Sequence, residues 1–125
     1  MLEVKPCDIT TTASFCKTNK ITYTDGVTTL ISATENDATL GSLVYDITDN
    51  KMLIKYIEPI NDLLLADAIL RSALFIAANK NIMDIYWKEP VPSELIEKLG
   101  FVKNIKDSSI DVTNLFSSCE SCKKS

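Results

Sequence analysis

The sequence predicts one mixed α/β (α+β) domain: an antiparallel meander, a buried helix, a return strand, a short helix and one or two final strands. Three observations predict it. Between Ile21 and Pro59, β-branched and aromatic residues alternate with polar ones in short runs broken by turn residues. From Leu63 to Ala78 every residue except Asp67, Arg71 and Ser72 is apolar, over a length that suits a helix and exceeds a strand. Beyond it, two short apolar runs flank a segment that ends in Leu99-Gly100, the signature of a helix stop. Such an order calls for a sheet with helices packed on it. At 125 residues the chain is one domain, able to bury about two-thirds of its unfolded surface.

Taken in order, residues 2–5 read as a short strand and residues 8–18 as a short helix, with Asp8 as its cap and a threonine run that weakens it. Residues 21–24 and 27–33 are β-rich and separated by Asp25-Gly26, a two-residue hairpin signal. Residues 34–37 read as a polar loop. Residues 40–47 follow as a strand with Leu43, Tyr45 and Ile47 on one face, and Gly41 in it marks a bulge. Residues 48–50 are a turn. Residues 52–57 alternate up to Pro59, and that parity groups Met52, Ile54, Tyr56 and Glu58 on one face. Asn61 or Asp62 caps the long helix, residues 63–78, whose polar stripe carries the i,i+4 pair Asp67 and Arg71. Residues 82–87 form the return strand. Pro90 and Pro92 break the chain, Ser93 opens a helix over 94–99, and Gly100 closes it. Residues 101–105 are a strand and 109–112 a further one. The domain spans 1–116, followed by a mobile tail, 117–125, that holds Cys119-x-x-Cys122.

Composition excludes several chemistries. No histidine is present, which removes Ser-His-Asp triads, Cys-His pairs and histidine-based zinc sites. The only glycines are Gly26, Gly41 and Gly100, none in a phosphate-cradling run. The net charge is −4 and Arg71 is the only arginine, so no basic footprint for nucleic acid exists. The N-terminus lacks the apolar core of a signal peptide, and the long apolar run carries Asp67 and Arg71, so neither secretion nor a membrane span is expected. The expected compartment is the cytoplasm, where cysteines are free, metal-bound or redox thiols.

Two segments resemble the GNAT superfamily of acyl-CoA-dependent N-acetyltransferases. Tyr56-Ile57-Glu58-Pro59 runs into the long helix, as a family strand ending in apolar-x-Pro runs through an Arg/Gln-x-x-Gly-x-Gly/Ala loop into a helix. Leu95-Ile96-Glu97-Lys98-Leu99-Gly100-Phe101 is similar to the end of the family's Asn-x-x-Ala-x-x-Leu-Tyr-Glu-Lys-Leu-Gly-Phe segment. The resemblance covers residues 40–112. It implies a GNAT-like fold, acetyl-CoA or CoA as cofactor, and a backbone cradle for its pyrophosphate at Ile57, Asn61, Asp62, Leu63, Leu64, Leu65 and Ala66. It also implies Glu58 as the catalytic base and a small-molecule amine or a protein as acceptor.

The departures are chemical. Aligned on Pro59, the family's arginine falls at Asn61 and its glycine positions at Asp62, Leu64 and Ala66, of which only Ala66 fits. The tyrosine that protonates the leaving thiolate falls at Ile96, the asparagine at Glu89 and the alanine at Pro92. These changes point to a member with degenerate chemistry, or to a non-catalytic interaction module on the same fold.

Other groups carry alternatives. Glu58 is either a base or a solvated strand-end carboxylate. Tyr86 and Trp87 either line a slot or fill the core. Cys119 and Cys122 are a metal or redox pair, with Cys7 and Cys16 as the only further thiols, or else free. The apolar girdle of the long helix allows a homodimer.

Overall fold

The computed structural model describes residues 2–113. The tail and its Cys119-x-x-Cys122 therefore lie outside the described residues. In chain order the elements are β1 (Glu3–Pro6), α1 (Ile9–Thr18), β2 (Thr28–Glu35), β3 (Ala38–Thr48), β4 (Lys51–Glu58), α2 (Leu63–Asn79), β5 (Asp84–Trp87), α3 (Ser93–Leu99), β6 (Val102–Asn104) and β7 (Ser109–Ile110). They form one seven-stranded sheet in the order β1-β2-β3-β4-β5-β7-β6. β1 to β4 are antiparallel neighbours, β5 runs parallel to β4, and β7 pairs antiparallel with β5 and β6. No described helix is long and apolar enough to cross a membrane.

Two faces of the sheet are covered. On one, α2 lays Ala66, Ile69, Leu70, Ala73, Leu74 and Ala77 against Ile31, Ala33, Leu43, Tyr45, Met52, Ile54 and Ile57. Leu95 and Ile96 of α3, with Phe101, extend this core. The stripe repeats at three and four residues, as a helix lying on a sheet requires. On the other face α1 packs a smaller cluster: Cys16 with Leu30 and Val44, flanked by Phe15, Ile21, Tyr23 and Tyr56.

The meander is tied by tight turns whose residues suit left-handed backbone. Asn36 and Asp37 have φ of 52° and 67°, and Asp49 and Asn50 have φ of 49° and 63°. Both are the two-residue turns that match strand twist. The polar loop expected over 34–37 is thus half strand, residues 34 and 35 ending β2, with the turn confined to Asn36-Asp37. The hairpin expected at Asp25-Gly26 does not form. Gly26 does turn the chain, with φ of 79°, but residues 21–24 are not a strand. The reason is that the backbone groups a hairpin would use are bonded elsewhere: the Thr24 amide donates to the Thr28 hydroxyl, the Thr24 carbonyl accepts from both the Val27 and Thr28 amides, and the Val27 carbonyl accepts from the Ile47 amide of β3. The expected bulge at Gly41 is present: β2 and β3 slip register beside it, between the Ala33–Gly41 and Thr34–Thr39 pairs.

A second slip decides where side chains point. Val44 opposes Tyr56 but Tyr45 opposes Ile54, so Lys55 is an extra residue in β4. Alternation restarts after it. Met52, Ile54 and Ile57 face α2, whereas Tyr56 packs against Phe15 on the α1 face. The single face expected for Met52, Ile54, Tyr56 and Glu58 is therefore split, because one extra residue inverts the parity of all that follow.

Candidate functional site

The bulge and the sheet order together open a fork. β4 and β5 pair only from Lys51–Asp84 to Ile54–Trp87, and one further bond runs from the Lys88 amide to the Ile54 carbonyl, 3.1 Å. Past that point the chain turns away through Pro90, and the β5-facing edge of β4 pairs with no described strand. A cavity of about 210 Å³ sits in the fork on the α1 face, walled by residues 19–22, by Lys55 and Tyr56, and by residues 88–90.

Lys55 is the buried charge of this wall, only 3% exposed. Its ammonium donates to the Thr22 carbonyl and meets Asp46 Oδ1 at 3.0 Å. Asp46 also accepts from the Thr28 hydroxyl at 2.6 Å. The bulge aims the lysine inward, and these oxygens meet the requirement that a buried ammonium be paired and hydrogen-bonded. The ion pair ties β4 to β3, and the bond from Lys55 to the Thr22 carbonyl fastens the segment after α1 to the sheet and so shapes the cavity mouth.

Tyr56 and Glu58, two residues apart, share a face of β4. The Tyr56 hydroxyl donates to Glu58 Oε2 at 2.7 Å, and the Phe15 ring meets Tyr56 edge-on with centroids 5.6 Å apart. Burial first, and then the bond and charge of Glu58, push the phenol up to about 12, so it stays protonated and remains a donor at neutral pH. Glu58 itself is exposed.

At the next turn of chain, Asp62 caps α2. Its carboxylate accepts from the Leu65 amide at 3.2 Å, and its carbonyl accepts from the Ala66 amide at 2.9 Å. Asn61, Leu63 and Leu64 are exposed, Leu65 is half-buried, and Ile57 and Ala66 are buried.

No family model matches this chain, and no curated protein matches it. Solved structures do match. The ribosomal-protein alanine N-acetyltransferase of Escherichia coli superposes with a TM-score of 0.61 at 9% identity, over 87% of this chain and 88% of that one. A probable acetyltransferase of Staphylococcus epidermidis gives 0.61 at 10% identity, over 81% and 83%. The PaiA N-acetyltransferase of Thermoplasma acidophilum, solved in complex with coenzyme A, gives 0.59 at 14% identity, over 88% and 96%. This chain has the GNAT fold.

Within the GNAT fold the resemblance read from the sequence acquires positions. Ile96, aligned with the family's tyrosine, is fully buried in the core between α3 and the sheet. Pro92 sits at the N-cap of α3, and Glu89 stands in the cavity wall. Trp87 belongs to the core, with its indole N–H donating to the Ser93 hydroxyl at 3.1 Å. The cavity wall after β5 is made by residues 88–90 instead of Tyr86 and Trp87. Cys16 is buried against Leu30 and Val44, and burial pushes its thiol up, which keeps it protonated and inert. Cys7 lies 3.3 Å from the Ser32 hydroxyl. Among the described residues no group of three or more Cys, Asp or Glu side chains converges to hold a metal.

Sequence reasoning did not single out Lys55 or Tyr56 as parts of a site. A lysine in the middle of an otherwise apolar strand was the available signal for the first. The second needed the bulge.

Proposed function

We propose that this chain is an N-acyltransferase that uses an acyl thioester, acetyl-CoA or a relative, as donor and a small-molecule amine or a protein amine as acceptor. The observation that carries the reading is the fork between β4 and β5 with the Tyr56–Glu58 pair on its α1 side, in a fold shared with acetyltransferases solved with coenzyme A.

A bound thioester supplies an activated acyl carbon. The unpaired edge of β4 beyond Ile54 would hold its extended arm by backbone hydrogen bonds. Glu58 accepts the proton of the attacking amine as the C–N bond forms and the C–S bond breaks. Tyr56 holds one carboxylate oxygen, Oε2, and leaves Oε1 for the amine. Ile96 cannot donate a proton, so the departing thiolate takes its proton from water. A second reading, a non-catalytic binding module, is favoured by that same Ile96.

Calorimetry with acetyl-CoA, paired with a thiol-release assay over a panel of amines, tests the proposal. Binding with turnover is expected, and Glu58→Gln is expected to lower kcat/KM by about 100-fold with little change in donor affinity. Binding without turnover selects the module. No binding at millimolar donor removes both.

A further inference from the structure

The helix that would meet the distal end of such a donor is built against negative charge. An α-helix N-terminus ordinarily attracts anions through free amides and its dipole. Here the Asp62 carboxylate stands at that place and accepts from the Leu65 amide at 3.2 Å. From residue 56 to residue 70 the sequence holds Glu58, Asp62 and Asp67 and not one lysine or arginine. The first cation after them, Arg71, is committed to Asp67 at 2.8 Å and lies over the Phe101 ring. Beside the capped end is a separate hollow of about 300 Å³, lined by Leu2, Glu35, Leu40, Asp62, Leu64 and Leu65. Among the described residues its lining includes no lysine or arginine, and Leu64 is 87% exposed at its rim. A diphosphate placed at this helix end meets the Asp62 carboxylate and apolar surface in place of free amides and cations.

The fork has the opposite character. Its wall carries Lys20 and Lys88 beside Glu89, and the open edge of β4 offers hydrogen bonds to a neutral, amide-bearing arm. We infer that this site holds its donor by the acyl-pantetheine arm alone, so that the nucleotide diphosphate of a CoA thioester adds no affinity. This rests on the proposed reading of the fork as a thioester site, and it names the donor class: thioesters are recognised whatever the phosphorylated group at the far end.

Calorimetry at low salt should compare acetyl-CoA with acetyl-pantetheine, which carries the same thioester and arm without phosphates. The expected result is acetyl-CoA no more than threefold tighter than acetyl-pantetheine. Asp62→Asn keeps a good cap and removes the charge. It should tighten acetyl-CoA by about three- to tenfold and leave acetyl-pantetheine unchanged. Acetyl-CoA binding more than threefold tighter to the native protein overturns the inference and leaves the fork reading standing. Equal effects of Asp62→Asn on both ligands also overturn it. Binding of neither ligand overturns the fork reading and the inference together.

Discussion

Gly41→Ala is expected to destabilise the protein by about 1–2 kcal/mol, and the figure follows from what surrounds that residue. A methyl carbon built on Gly41 lies 2.5 Å from Ile69 Cδ1, 2.7 Å from the Glu58 carbonyl oxygen and 3.0 Å from Pro59 Cδ. Ordinary carbon contacts begin near about 3.5 Å. Ile69 is fully buried and has no free direction in which to turn. The Glu58 oxygen is main chain in a residue paired with Ser42, so it retreats only if the end of β4 moves. Overpacking costs about 1–3 kcal/mol, and contacts this short, to a buried side chain and to main chain, place it at about 2–3 kcal/mol. Against it, removing a glycine from a strand returns about 0.5–1 kcal/mol of unfolded-chain entropy. Urea melts followed by the fluorescence of Trp87, the only tryptophan, measure the difference. The midpoint should fall with the slope unchanged, and the melting temperature should drop by about 3–10 °C. A loss below about 0.5 kcal/mol, or any stabilisation, would refute the claim that α2 and β4 close directly onto the β3 backbone.

Two further outcomes test the cavity wall. Lys55→Met leaves Asp46, 21% exposed, with the Thr28 hydroxyl as its remaining named partner, and should cost about 2–3 kcal/mol in urea melts. Adding Asp46→Asn should recover part of that loss, and a coupling below about 0.5 kcal/mol in the double-mutant cycle would deny the pair a structural role. Tyr56 supplies a pH signature. Its phenol ionises at about 12 in the folded chain, above the ordinary value of 10.0, so the folded state holds the proton more tightly. Its contribution is intact below pH 10 and is lost as pH rises towards 12. Melts across that window should show a smaller decline for Tyr56→Phe than for the native protein, and parallel declines would show that the phenol is not held as described.

Much of the fold was legible because it rests on local patterns. The α2 limits came within one residue, since Asp62 is a strong cap and the apolar run is unbroken. Gly100 closes α3 in the left-handed region, φ 82°, as a glycine at that place should. The Asp25-Gly26 hairpin failed for the converse reason: turn chemistry is local, but whether a strand forms beside it depends on distant partners, and here Ile47 of β3 takes the Val27 carbonyl. The face of Glu58 failed at Lys55, where a single inserted residue inverts a period-two pattern. Nothing in one strand's sequence announces an insertion that exists only relative to its neighbour.

Local patterns in the sequence set the element order apart from the strand expected over 21–24, the turns at 36–37 and 49–50, the apolar stripe of α2 and the absence of histidine, glycine and cationic chemistry around residues 56–70. These follow from covalent and short-range preferences that each residue carries with it. Only the tertiary structure decided that β5 leaves β4 after Trp87 and opens a fork, that Lys55 turns inward to Asp46, and that Tyr56 holds Glu58 on the α1 face. Those depend on register between strands distant in the chain, and pairing energies, not local preferences, set register.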